Sequence, residues 1–108
     1  MSLHRIGFID LPAHAGVGGF DHAAVHASSG RLYVAHTAND AVDVIDTKAN
    51  RYLRSIPGLR GVAGVLVSET RGLVFTSNRG EGTVGIFPEG RPSEARKVTV
   101  GVHPNGLA

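Results

Sequence analysis

The chain has 108 residues, 42% of them apolar and 19% charged, with a formal net charge of +2 and no cysteine. This is ordinary usage for one globular domain with a modest core, and the lack of cysteine excludes disulfides, thiolate metal sites and a cysteine nucleophile. The eleven Lys and Arg residues are scattered from Arg5 to Lys97, which argues against nucleic acid as a partner; the longest apolar run, Val62 to Val67, is far too short to cross a membrane.

From the N-terminus, Met1-Ser-Leu-His-Arg leads straight into RIGFIDL (5 to 11), with no signal peptide visible. That stretch reads as an isolated outer strand. A glycine-rich connection holding Gly16, Gly18 and Gly19 follows, and then GGFDHAAVH at 18 to 26. Beyond it the hydrophobic signal has period two, the mark of half-buried strands. Strands are expected over His22 to Ala27, Arg31 to His36, Ala41 to Asp46 and Arg51 to Ile56, separated by SSG, TAND and TKAN turns. Four more are expected over Val62 to Ser68, Gly72 to Ser77, Thr83 to Phe87 and Ala95 to Val100. Turn signals about ten residues apart describe an all-β meander of short antiparallel strands.

Shifting the chain on itself by 42 residues sets Gly30 on Gly72, Tyr33 on Phe75, Val42 on Val84, Val44 on Ile86, Ile56 on Val98 and Gly64 on Gly106. Residue class agrees at the positions expected to be buried. This is an internal repeat of the length of a propeller blade. It divides the chain into a leader with the outer strand of a preceding blade (1–19), a first blade (20–61), a second blade (62–103) and the start of a third (104–108).

The repeats resemble the YVTN family of β-propeller repeats. The naming tetrapeptide stands as Tyr33-Val34-Ala35-His36 and, more loosely, Phe75-Thr76-Ser77-Asn78, while NDAVDVID and GEGTVGIF match the family's polar turn and following strand. HPNGLA is similar to its repeat-opening segment, and Phe20-Asp21-His22 to the Phe-Asp-His opening of related bacterial secreted propellers. The resemblance implies four-stranded antiparallel blades in a WD40-like ring and leans towards an exported or periplasmic protein. It also implies a non-catalytic scaffold for protein or ligand binding. The alternative it allows is part of a propeller enzyme, a lactonase-like hydrolase or an amine-dehydrogenase-like domain, with a divalent metal or cofactor at the channel mouth.

Propellers close with four to eight blades, whereas 108 residues at 42 per repeat supply about two and a half. The chain is therefore a partial propeller, and its blade faces need partners. Further blades are the expected partner, from self-association or from the rest of a longer chain.

Several motifs dissolve under this reading. His22 and His26 have the spacing of a helical zinc pair, but on a strand rising about 3.3 Å per residue they stand about 13 Å apart. Gly80-Glu-Gly82-Thr-Val-Gly85 fits GxGxxG without the preceding strand and following helix that a dinucleotide needs. Asp40, Asp43 and Asp46 read as a solvated face, His36 as a turn residue, and Arg91 to Lys97 as an exposed loop and edge-strand entry. There is no nucleophile elbow, and no catalytic residue or cofactor is assigned. Repeat register leaves one candidate site: Asp21, Ala63 and Asn105 are equivalent, as are His22, Gly64 and Gly106, and Gly19, Gly61 and His103. Asp21, His22, His103 and Asn105 thus converge on one mouth of a closed ring as ligand-binding candidates.

Overall fold

A computed structural model describes residues 5 and 7–101. Eight strands form two four-stranded antiparallel sheets, each in simple sequential order. The first holds β1 (Ala23–His26), β2 (Arg31–His36), β3 (Ala41–Asp46) and β4 (Arg51–Ile56); the second holds β5 (Val62–Ser68), β6 (Leu73–Asn78), β7 (Thr83–Pro88) and β8 (Arg96–Thr99).

Turn chemistry separates the strands as the sequence dictates. Asp40 and Asn50 take the left-handed conformation, φ 51° and 56°, which Asp and Asn tolerate better than other non-glycine residues. The Asp46 carboxylate accepts from the Lys48 and Ala49 amides at 2.9 and 3.1 Å and so fixes the β3–β4 turn.

The 42-residue shift is exact in the pairing. Val42 opposes Ile56 as Val84 opposes Val98, and Ala23 opposes Val34 as Val65 opposes Thr76. Differences from the expected strands are small and have local causes. His22 stays outside β1 because its amide donates to the Ala63 carbonyl of the other sheet at 3.1 Å. β8 starts at Arg96 because Pro92–Glu94 forms a 3₁₀ turn closed by the Ala95 amide on the Pro92 carbonyl. Residues 7–11 belong to no strand; an outer strand pairs with the third strand of its own blade, which these residues do not include.

The core lies between the sheets. Tyr33, Ala35, Val42, Val44 and Ile56 of the first meet Val62, Val65, Val74 and Phe87 of the second, with Leu59 of the connecting segment between them. Each full burial of a side chain of the Val, Leu or Phe kind contributes about 1.5–3 kcal/mol. The Tyr33 and Phe87 rings lie 6.1 Å apart at 55°.

One reading from the sequence is corrected. Asp43 is not on a solvated face: it is fully buried, as is His36 beside it. Asp40 is exposed and Asp46 partly so. Steps of three residues along a period-two strand alternate faces, so the middle aspartate points opposite to its neighbours.

Candidate functional site

The entrance to β1 carries the first candidates. Asp21 and His22 precede the strand, where the Asp21 amide donates to Ala35 O (2.9 Å) and the Ala35 amide to His22 O (2.9 Å). Their side chains are exposed, with Asp21 Oδ1 2.6 Å from His22 Nδ1. The same ring nitrogen lies 3.2 Å from the Ala63 carbonyl oxygen, so the histidine spans the junction between sheets. His103 and Asn105 lie outside the described residues.

His26 lies at the opposite end of β1. Its Nδ1 pairs with Ser29 Oγ at 2.7 Å, and its ring stands 3.5 Å from both Glu69 and Glu89 of the second sheet. A wider polar junction surrounds it. One guanidinium nitrogen of Arg31 donates to both oxygens of Glu89, and the Tyr33 hydroxyl donates to Glu89 Oε2 at 2.7 Å. Ser28 Oγ and the Ala27 amide both donate to Glu69. Burial and the neighbouring Glu89 carboxylate push the Tyr33 phenol well above its ordinary value. Burial alone would raise Glu89, but the bonds from Tyr33 and Arg31 outweigh it and hold the carboxyl below the usual glutamate range. These carboxylates join blades.

A second polar group, centred on the buried His36 and Asp43, escaped the sequence reading. His14 Nδ1 lies 2.6 Å from His36 Nε2, and His36 Nδ1 lies 2.7 Å from Asp43 Oδ2. Ser55 Oγ donates to Asp43 Oδ1 at 2.7 Å, and the Tyr52 hydroxyl is 2.7 Å from Ser55 Oγ. The His36 ring thus links the Asp43 carboxylate through Nδ1 to the His14 imidazole through Nε2. Phe20 stacks on His36 at 4.2 Å between centroids, with the His14 ring edge-on to both. The serine hydroxyl in this chain of bonds donates to the carboxylate rather than to an imidazole. These bonds fasten the glycine-rich connection, which is also tied by Asn39 Oδ1 accepting from the Ala15 amide and Asn39 Nδ2 donating to Ala13 O.

The signal for this group was in the repeat. Matching Leu11-Pro12 to Ile56-Pro57 sets His14 on Leu59, and the 42-residue shift sets His36 and Asp43 on Asn78 and Gly85. In the second blade Leu59 Cδ2 and Asn78 Nδ2 lie around Gly85, where an added Cβ would meet them at 3.5 and 3.4 Å. The first blade fills the corresponding seat with imidazoles and a carboxylate.

At the end of the blade junction where Asp21 and His22 lie is an open depression lined by Thr37, Gly61, Arg79 and Gly80. Thr37 Oγ1 donates to Val62 O at 2.7 Å. Among the described residues no three His, Asp or Glu side chains come together as a metal-holding group.

Two four-stranded antiparallel sheets, repeated in register and packed face to face, define the chain as two blades of a β-propeller with flanking segments. It is similar in structure to hydrazine synthase from Kuenenia stuttgartiensis, a β-propeller-containing protein, with a TM-score of 0.76 and 16% sequence identity over 87% of this chain. The match spans 27% of that longer chain, and at this identity the likeness is one of fold. No family model matches the sequence, and no curated protein matches it.

Proposed function

We propose that the chain is a two-blade section of a closed β-propeller of the YVTN-repeat type, serving as a non-catalytic scaffold that binds a protein or small ligand at its channel mouth. Asp21 and His22 are its contribution to that mouth, joined by His103 and Asn105, and further blades complete the ring. The observation that carries this reading is a match between two faces. Leu66, Phe75, Val84, Ile86 and Val98 share the side of the second blade turned away from the first, by register and alternation. They are the repeat equivalents of Ala24, Tyr33, Val42, Val44 and Ile56, the face that the second blade covers in the first. Yet Val98 is 49% exposed and the other four are only partly buried. An apolar face repeating a buried one is a seat for another blade.

The chain has no tryptophan, so single reporters test this directly in the assembled protein. Phe75→Trp should emit at the short wavelength of a buried indole, like the reference Tyr33→Trp; a water-exposed spectrum from Phe75→Trp in every assembled form would reject the seat. Elemental analysis tests the scaffold against a metal enzyme. Stoichiometric metal lost in both Asp21→Ala and His22→Ala would overturn the non-catalytic reading, and metal-free, folded protein supports it.

A further inference from the structure

We infer that the blade seated on the second blade is the first blade of another copy of this chain, so that copies join head to tail into a closed ring. The inference rests on the reading of the second blade's outer face as a seat, and it names the occupant. Val62, Val65, Val67, Val74 and Phe87 are the second blade's half of the joint inside the chain. Their equivalents one repeat earlier are Phe20, Ala23, Val25, Leu32 and Ile45, all apolar. By register and alternation, Ala23, Val25, Leu32 and Ile45 share the side of the first blade turned away from the second. Phe20 and Val25 are 48% and 52% exposed there, as Val98 is 49% exposed on the outer face of the second blade. The chain thus carries both halves of its own joint, one on each end.

The polar rim of the joint decides which blade fits. Inside the chain, His26, Arg31 and Tyr33 of the first blade meet Glu69 and Glu89 of the second. One repeat on, the second blade presents Ser68, Leu73 and Phe75, with no cation and no phenol. One repeat back, the first blade has Ala27 and Thr47 where Glu69 and Glu89 stand, with no carboxylate. The backbone confirms the second equivalence: the Thr47 amide donates to Gly30 O at 2.9 Å, and the Glu89 amide to Gly72 O at 2.8 Å. Cations and carboxylates are therefore absent together, from faces at opposite ends of one chain. A second blade placed on another second blade would instead set Glu89 against Leu73 and Phe75 and bury a carboxylate without a partner, which is strongly unfavourable. Charge matching thus selects the first blade of a copy.

A contact between two different faces builds rings when its rotation closes. Two to four copies supply the four to eight blades with which propellers close. Residues 7–11 belong to no strand, so bringing the faces together breaks no sheet.

Light scattering on the full chain should give an assembly of two to four copies. Val25→Arg and Val98→Arg each put a charge on one end face, at a side chain about half exposed, so circular dichroism should show both folded. Each alone should be monomeric. Mixed in equal amounts they should form a one-to-one dimer, because each keeps the face that the other has lost. A wild-type chain that stays monomeric, an assembly that persists in either folded variant, or variants that do not pair on mixing would overturn the copy as occupant. The seat is judged separately, since it fails only if Phe75→Trp is exposed to water in every assembled form.

Discussion

Arg31 in β2 and Glu89, just beyond β7, join the two blades through a clamp in which one guanidinium nitrogen reaches both carboxylate oxygens, at 2.8 and 2.6 Å. Tyr33 donates to the same carboxylate. The Glu89 side chain is only 10% exposed, so its loss leaves partly buried donors without an acceptor. Glu89→Gln should lower stability by about 1–3 kcal/mol in urea denaturation. The sign of the pH effect follows from the carboxyl being held below the ordinary value near 4.5. Its contribution is complete above that value and lost as pH falls through the depressed one. The acid limb of stability against pH should therefore be shallower in Glu89→Gln; identical limbs would refute the clamp.

The buried pair in the first blade invites a cycle. Asp43→Gly alone strands His36 and Ser55 and should cost about 3–5 kcal/mol. The double variant His36→Asn with Asp43→Gly installs the pair that Asn78 and Gly85 form in the second blade. It should cost less than the sum of the two single changes, by about 1 kcal/mol or more. Strict additivity would show that the two residues act independently.

Gly61 and Gly58 separate two kinds of glycine requirement. Both have positive φ, +63° and +76°, but a Cβ on Gly58 meets nothing within 4 Å whereas one on Gly61 runs into Gly80. Gly58→Ala should cost about 1–2 kcal/mol for conformation alone, and Gly61→Ala distinctly more. Equal losses in thermal unfolding would mean that the two loops part easily.

Val42 and Val84 are repeat equivalents in different surroundings, the first fully buried and the second partly exposed. Val42→Ala should cost about 1–3 kcal/mol. Val84→Ala should cost well under 1 kcal/mol in the chain on its own and approach the Val42 value in a protein where another blade covers that face. A full-sized loss from Val84→Ala in the monomeric chain would contradict the burial difference.

Most of the fold was legible because each strand is short, β-branched and bounded by its own turn, and because the two copies confirm one another. Comparing Val42 with Val84 and Ile56 with Val98 gave a register that the pairing keeps at those positions, ahead of the bulge between Val44 and Ile45. The site was less legible. Asp21 and His22 were singled out as candidates from register alone, but the 2.6 Å contact between them and the reach of His22 to Ala63 depend on how the sheets pack. Asp43 was misread because its charge and its parity, opposite to Val42 and Val44, both suggested solvent, whereas His14 and Phe20 of the glycine-rich connection pack over His36 beside it on that face. His14 was overlooked because it meets His36 from across a glycine-rich connection, a contact that no local spacing encodes.

The two seats also differ in kind: His14, His36 and Asp43 in the first blade stand where Leu59, Asn78 and Gly85 stand in the second. A blade built to cover one would set an apolar leucine against a buried carboxylate, or an imidazole against a glycine, if it were moved to the other. Misplacing an ionised group in this way costs several kcal/mol. Repeats that share a backbone are thereby made non-interchangeable, and the order of these two blades is written into the chemistry of their joints.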